Sequence, residues 1–388
     1  MRVAVDVREL CGRPTGVGRY LAGLLEAWSD NAVAQRHQWA LYAHARPALP
    51  GHWDEHFRLV SGGGGTLWEQ RALPAALRGQ RPDVLFAPGY TAPLTVPAPV
   101  VLTVHDVSFF AHPEWFSFRE GTRRRLLTAW SARRARRVIT DSIFSQSEIA
   151  RHIGIDRSRV TVIPLGIDRS HSGSRISADA PQALRRDLAE ARDASEGGPD
   201  PGSRREPLVL FVGSIFERRR VDRLIDAFDE VAARVPDAQL EIVGENRTRH
   251  PRLDLDALRQ QRTHADRIHI RSYVDDETLT SLYQRASVLV FLSEYEGFGF
   301  TPLEALAAGV APVLLDTPIA RETCGAAARY VAPDAPNTAV AAAIIDLLTD
   351  GSARAQIMQR AAEVLPRYDW EITAADTMRV IEEAAVGR

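Results

Sequence analysis

Short β-branched apolar runs alternate with longer amphipathic segments from residue 2 to residue 163, break off, and resume at Leu208. Runs at 2–6, 39–43, 58–60, 83–87, 100–104, 138–141 and 160–163 have the length and composition of strands. Segments at 17–28, 67–77, 118–135 and 144–153 have helical spacing. Strand and helix in turn predict a parallel sheet covered by helices, because a parallel crossover needs about the length of a helix. The second half repeats the pattern, with strands at 208–213, 240–244, 268–270, 288–292 and 311–315. Its helices fall at 221–235, 276–285, 301–308, 338–348 and 353–365. Between the halves, 171–207 is rich in Ser, Gly, Asp, Pro and Arg and reads as a linker with a short helix near 183–191. The expected fold class is α/β: two Rossmann-like, doubly wound domains facing across a cleft, with ligands beyond the carboxyl ends of the strands. The first covers 1–170 and the second 208–365. The tail, 366–388, holds a helix at 371–385, opened by Trp370, expected to pack back on the first.

One stretch carries the most chemistry: Ser293-Glu294-Tyr295-Glu296-Gly297-Phe298-Gly299-Phe300-Thr301-Pro302-Leu303-Glu304. A buried strand runs into a glycine-broken loop, and a helix is expected to start at Thr301, with Thr301 as its cap and Pro302 in the first helical position. Free amides and the positive dipole end then make an anion site. Glu296 and Glu304 bracket it. Carboxylates accept from hydroxyls while amides hold phosphate, so the set suits a phosphorylated sugar. A capping box between Thr301 and Glu304 accounts for Glu304 alone and leaves Glu296, Gly297 and Gly299 unexplained.

Other strand ends hold weaker signals. Gly16 and Gly18 precede or open a helix after the first strand, where backbone can approach a ligand or simply turn. His105 closes the strand at 100–104, suited to hydrogen bonding near neutral pH or to a purely structural bond with Asp106 or backbone. Gly213, Ser214, Arg218, Arg219 and Arg220 follow the first strand of the second half. Arg218 and Arg219 are candidates for a diphosphate clamp, with Arg220 starting the next helix toward solvent. Asp254 and Asp256 have metal-pair spacing but lie in a polar stretch, 250–262, that reads as an exposed helix. No other cluster has metal-ligand spacing.

All 48 basic residues are arginine, so no lysine serves as a phosphate clamp or Schiff base. A net charge of -2 gives no global case for nucleic acid. Eight arginines between Arg119 and Arg137, near Trp115 and Trp130, form a basic amphipathic helix. It suits either a solvated face or an anionic membrane surface, with Leu126, Leu127 and Trp130 expected toward the core. The start, Met1 to Glu9, breaks too soon for a signal peptide, and the longest uncharged run, 87–104, holds four prolines. Cys11 and Cys324 are unmotivated as a pair. A cytoplasmic protein, soluble or peripheral on the inner face of the membrane, is expected.

Together these features resemble the retaining GT-B glycosyltransferases of family GT4, over nearly the whole chain. The segment from Glu296 to Ala305 looks like the E-x7-E signature. Val104-His105-Asp106, followed by His112-Pro113-Glu114-Trp115, looks like the family's acceptor-domain histidine segment. Val138 to Ser142 and Val162 to Asp168 resemble the segments closing the N-terminal domain, and Phe211 through Arg219 resembles the donor-phosphate loop.

The resemblance implies a metal-independent transfer of a hexose, with retention, from an NDP-sugar to a hydroxyl of a glycan or lipid-linked acceptor. The NDP-sugar is a substrate and no cofactor is expected. The resemblance places Glu296 on the donor sugar and Glu304 on the ribose. Amides of Gly297, Phe298, Gly299, Phe300, Thr301, Pro302 and Leu303 fall on sugar and diphosphate. Arg218 and Arg219, beside Gly213 and Ser214, stand where members usually place an arginine and a lysine. Gly16 or Gly18 would approach the diphosphate and His105 the transferred sugar. The stretch from His105 to Trp115 resembles polysaccharide-building members that often use GDP-mannose. An NDP-sugar 2-epimerase, a non-catalytic sugar-nucleotide binder, and a membrane or RNA binder built on the basic helix are the alternatives.

Overall fold

The computed structural model describes all residues except 13, 14, 30, 168–206, 250, 251 and 388. The expected linker, apart from Pro207, lies outside the described residues, as does its short helix. Two compact units emerge: Met1–Gly166 with Arg367–Arg388, and Ile167–Pro366.

The first unit holds a seven-stranded sheet: β1 (Arg2–Asp6), β2 (Gln38–Ala43), β3 (Phe57–Leu59), β4 (Val84–Ala87), β5 (Val100–Thr103), β6 (Arg137–Thr140) and β7 (Val160–Val162). Their order is β3-β2-β1-β4-β5-β6-β7, and every pairing is parallel. β4 and β5 are buried throughout, as strands covered on both faces must be. The last helix, Trp370–Val386, belongs to this unit. The Trp370 ring lies where a Cβ on Gly23 or Gly166 would stand, within 2.5 and 2.4 Å, so both glycines are required for its seat. Trp28 Nε1 donates to Ala374 O at 3.0 Å, and Thr373 Oγ1 donates to Pro164 O at 2.8 Å.

The second unit holds β8 (Leu208–Val212), β9 (Gln239–Val243), β10 (Ile268–Arg271), β11 (Val288–Phe291), β12 (Ala311–Leu315) and β13 (Arg329–Val331). Their order is β10-β9-β8-β11-β12-β13, again all parallel. β13 is too short for an apolar period to show, and pairs with β12 alone. Each sheet reverses its strand order once, between β1 and β4 and between β8 and β11. Loops leaving those two strands diverge to opposite sides and open a crevice at their carboxyl ends.

Several local expectations change. The segment 67–77 splits into a π-helical turn, Trp68–Ala72, and the helix Leu73–Gln80. The polar stretch 250–262 yields a shorter helix, Leu255–Gln260, which Asp254 caps through the Ala257 amide at 3.0 Å. Asp256 is exposed beside Arg259, and no metal-ligand cluster occurs among the described residues. In the basic helix, Phe118–Arg134, the buried positions are Gly121, Thr128, Ala129, Ser131 and Ala132. Leu126 and Trp130, expected inside, are 46% and 47% exposed. The small face lets the helix lie close to the sheet, which leaves no room beneath it for large side chains.

Candidate functional site

In the second unit the crevice between β8 and β11 brings together the two loops that the sequence singled out. β8 ends at Val212, and Gly213 turns the chain at φ +131°, a region closed to most side chains. A Cβ there would stand 2.6 Å from Arg219 Nη1, so glycine is what admits the guanidinium. Arg219 is fixed at several points. Its Nη1 donates to Ser214 O at 2.9 Å, its Nε donates to Glu296 Oε1 at 2.9 Å, and its guanidinium lies 4.9 Å from the Phe291 ring centroid. Arg219 Nη2 has no hydrogen-bond partner among the described residues. Arg218 donates from Nε to Tyr295 O at 3.1 Å, rests over Phe216, and brings Nη2 to 4.0 Å from Glu296 Oε2.

Glu296 also accepts from Ser293 Oγ at 2.9 Å. Burial would raise its carboxyl, but Arg219 and Arg218 outweigh that and hold it below the usual carboxylate range. Glu296 is therefore an anion at neutral pH. Glu296, expected on sugar, and the two arginines, expected on phosphate, thus form one ion cluster. Arg220 starts the helix, at φ +47°, with its side chain 42% exposed and donating from Nε to Glu294 at 2.8 Å.

The helix after β11 runs Phe300–Ala307, capped by Gly299 at φ +99°. Thr301 is thus inside the helix rather than its cap, Pro302 takes the third position instead of the first, and the Thr301–Glu304 capping box does not apply. Pro302 has no amide to offer and the Leu303 amide bonds back to Gly299 O within the helix, so the donors at this helix end come from Phe300 and Thr301. Phe298, Pro302 and Leu303 are core side chains whose contribution to a ligand is confined to backbone, and Gly297 is buried with them. Glu304 is 5% exposed on the inner side of the helix.

At the carboxyl ends of β9 and β10 lies a cavity of about 600 Å³, lined by Gly244, Asn246, Leu253, Asp254, Ile270 and Ser272. Sequence reading missed it because its walls come from separate loops with no local signature.

In the first unit, His105 follows β5 and is 8% exposed. Nδ1 lies 2.8 Å from Asp141 Oδ2 and Nε2 lies 2.9 Å from Pro88 O. Burial would lower its pKa, but Asp141 and the two hydrogen bonds outweigh that and raise it, which favours the imidazolium. Of the two purely structural partners, backbone is present through Pro88 O, whereas Asp106 accepts instead from Tyr90 OH at 2.9 Å and from the Ser108 amide at 2.8 Å. Gly18 is closed to a ligand, since a Cβ on it would stand 2.8 Å from Glu9 O, where helix Gly16–Ser29 packs on the preceding turn. Gly16 has open space around it.

The same edge holds a network the sequence did not disclose. Arg8 Nη2 donates to Glu69 Oε1 at 2.5 Å, and Arg8 Nε lies 3.4 Å from Asp6 Oδ2. Glu69 is 1% exposed and accepts also from Thr91 Oγ1 at 2.6 Å and Gln70 Nε2 at 3.0 Å. Burial pushes the Asp6 carboxyl up to about 6 against the pull of Arg8. Arg8 and Glu69 are far apart in sequence, and Glu69 sits on the π-helical turn, so spacing held no clue.

Two all-parallel, doubly wound α/β units define a GT-B fold. The HepE structure of Anabaena, crystallised with UDP and glucose, shares this fold at a TM-score of 0.70 and 20% identity, covering 99% of this chain and 100% of that one. The Glycosyltransferase Family 4 model matches residues 14–171, and the Glycosyl transferases group 1 model matches residues 200–364. The chain belongs to the GT4-type glycosyltransferases. A phosphatidyl-myo-inositol mannosyltransferase of Mycolicibacterium smegmatis is 36% identical over 205 residues, half of each chain. A serotype-specific mannosyltransferase of Escherichia coli, WbdA, is 27% identical over 241 residues, 60% of this chain and 28% of that one. The chain thus spans only half, or less, of the length of these curated relatives.

Proposed function

We propose that the protein is a retaining hexosyltransferase that moves a hexose, with GDP-mannose as the first donor to test, to a hydroxyl of a glycan or lipid-linked acceptor without a metal. The observation that carries this reading is the Arg219–Glu296 pair across the β8–β11 crevice, beside a helix end capped by glycine. Relatives named as mannosyltransferases support the choice of sugar. As the anomeric carbon–oxygen bond breaks, negative charge grows on the departing diphosphate. Arg218, Arg219 and the amides of Phe300 and Thr301 meet that charge. The acceptor oxygen forms the new bond on the same face and passes its proton to the leaving phosphate. Glu296, already bonded to Arg219 and Ser293, orients sugar hydroxyls and is not a covalent nucleophile. Glu304 takes the ribose, and His105 is assigned to the transferred sugar.

The cavity at the ends of β9 and β10 is assigned to the nucleobase. GDP and GDP-mannose should raise the melting midpoint with concentration more than UDP, ADP or dTDP and their sugars do. A larger shift with another base would overturn GDP-mannose, and no shift with any of them would overturn a sugar-nucleotide site. Formation of an epimerised nucleotide-sugar without any acceptor would replace transfer with epimerisation.

No helix among the described residues is long and apolar enough to cross a membrane. The outward side of Phe118–Arg134 carries Phe118, 83% exposed, with Leu126, Trp130 and arginines, and we assign it to peripheral contact with an anionic bilayer. The protein should cosediment with phosphatidylglycerol vesicles, and a Leu126→Ser, Trp130→Ser variant should stay largely in solution. Wild-type protein remaining in solution at low salt would contradict this.

A further inference from the structure

We propose that Glu69, with Arg8, is a positioning residue that acts through Thr91 to fix the protonation and orientation of His105. Three observations lead there.

First, the turn after β4 makes the wall of the histidine. Pro88 O bonds Nε2, the Tyr90 ring stands edge-on to the imidazole at 5.6 Å, and Tyr90 OH reaches Asp106. A carbonyl oxygen only accepts, so Nε2 must carry a proton. The remaining proton lies between Nδ1 and Asp141, and as long as Asp141 is ionised the ring is an imidazolium. The turn therefore selects the doubly donating ring.

Second, that turn is strained. Tyr90 has φ +56°, and the Thr91 amide donates back to Gly89 O at 2.6 Å, closing a tight three-residue turn around it. A bulky residue in this conformation persists only where its surroundings hold it there.

Third, the Tyr90 amide ties the turn to Thr103 O at 2.8 Å on one side, and Glu69 holds it on the other. Thr91 Oγ1 donates to Glu69 Oε1 at 2.6 Å and lies 3.2 Å from Arg8 Nη2, so the threonine is clamped between the two. Gln70 fixes the next residues, donating to Ala92 O at 3.1 Å and accepting from the Leu94 amide at 3.0 Å. Arg8 follows β1 and the turn follows β4, so the clamp sits at the strand-order reversal of this sheet. The π-helical turn that carries Glu69 is a feature often kept for a site.

The groups facing the ring are Asp141 at Nδ1, Asp106 nearby, and Tyr20 and Tyr90 at its sides. Asp6 and Glu9 stand behind Arg8, and Arg124 near Tyr90. Of these, the clamp moves only the turn. The importance of the clamp for catalysis rests on the reading of His105 as the group beside the transferred sugar, but its test does not.

NMR titration of histidine-labelled protein, with His105 assigned by its loss in His105→Gln, needs no donor or acceptor. Thr91→Val removes the bridging hydroxyl at nearly constant shape, and Glu69→Gln weakens the clamp. Both should lower the His105 midpoint by about one pH unit, the size of a lost hydrogen bond to the charged form, while thermal melting stays cooperative. Thr91→Ser, which keeps the hydroxyl, should restore the wild-type midpoint. An unchanged midpoint in Thr91→Val, an equal shift in Thr91→Ser, or loss of cooperative melting in Thr91→Val would each overturn the proposal. The last would show that the clamp holds the fold and not the ring.

Discussion

Replacing Glu296 by glutamine is expected to lower the rate of hexosyl transfer by about a hundredfold to a thousandfold, the range seen when one charged partner of a transition state is removed. The variant should still fold, because an amide keeps the shape and can accept from Ser293. What it loses is charge. Glu296 is the anion that offsets Arg219, at 2.9 Å, and Arg218, at 4.0 Å. Without it the two guanidinium groups repel each other inside a crevice where neither is well solvated, and the acceptor of sugar hydroxyls is weakened. Alanine should cost more stability than glutamine, since beyond the charge it also removes the acceptor for Arg219 Nε and Ser293 Oγ. Steady-state kinetics with a thermal melt on the same samples separates the two effects. A Glu296→Gln enzyme with near wild-type kcat would remove Glu296 from the mechanism.

Arg219→Ala should be comparably damaging to transfer and, unlike Glu296→Gln, should also abolish most nucleoside diphosphate binding. The side chain is held by Ser214 O and Glu296, with its ring-stacked guanidinium leaving Nη2 for a ligand. Arg219→Lys keeps the positive charge but cannot make both fixing bonds and still present a donor, so it should recover only part of the loss. Because Arg219 and Glu296 act as one unit, the Arg219→Ala, Glu296→Gln double variant should be little worse than Arg219→Ala alone. Losses that simply multiplied would mean that the two residues serve separate steps. Transfer retained in Arg219→Ala would move the diphosphate elsewhere.

The alternation of apolar runs and helical segments revealed twelve of the thirteen strands to within a residue or two, because a strand buried on both faces leaves a continuous apolar record. β13 left none. The arginine loop and the Glu296 loop were legible as strand-end motifs, but their direct bond was not, because nothing local links residues 219 and 296. The helix cap was misplaced by two residues for a specific reason. Thr301 and Pro302 form a plausible cap pair, yet Gly299 reaches φ +99° without a steric penalty and ends the loop first. Leu126 and Trp130 fill the gaps between the arginine clusters and yet face outward, because close packing of the helix selects its small residues Gly121, Ala129 and Ala132 for the inner face. The Glu69–Arg8 clamp was invisible for the same reason as the cavity: its residues meet only after the sheet has formed.

We place the diphosphate in the β8–β11 crevice, on Arg219, Glu296 and the start of helix Phe300–Ala307. A crystal structure of the protein with GDP tests this most directly. The β-phosphate is expected within hydrogen-bond distance of Arg219 Nη2 and of the Phe300 or Thr301 amide, with the guanine in the cavity beside Asn246 and Ser272. GDP bound away from Arg219 and the helix start, with the Arg219–Glu296 pair undisturbed, would contradict it.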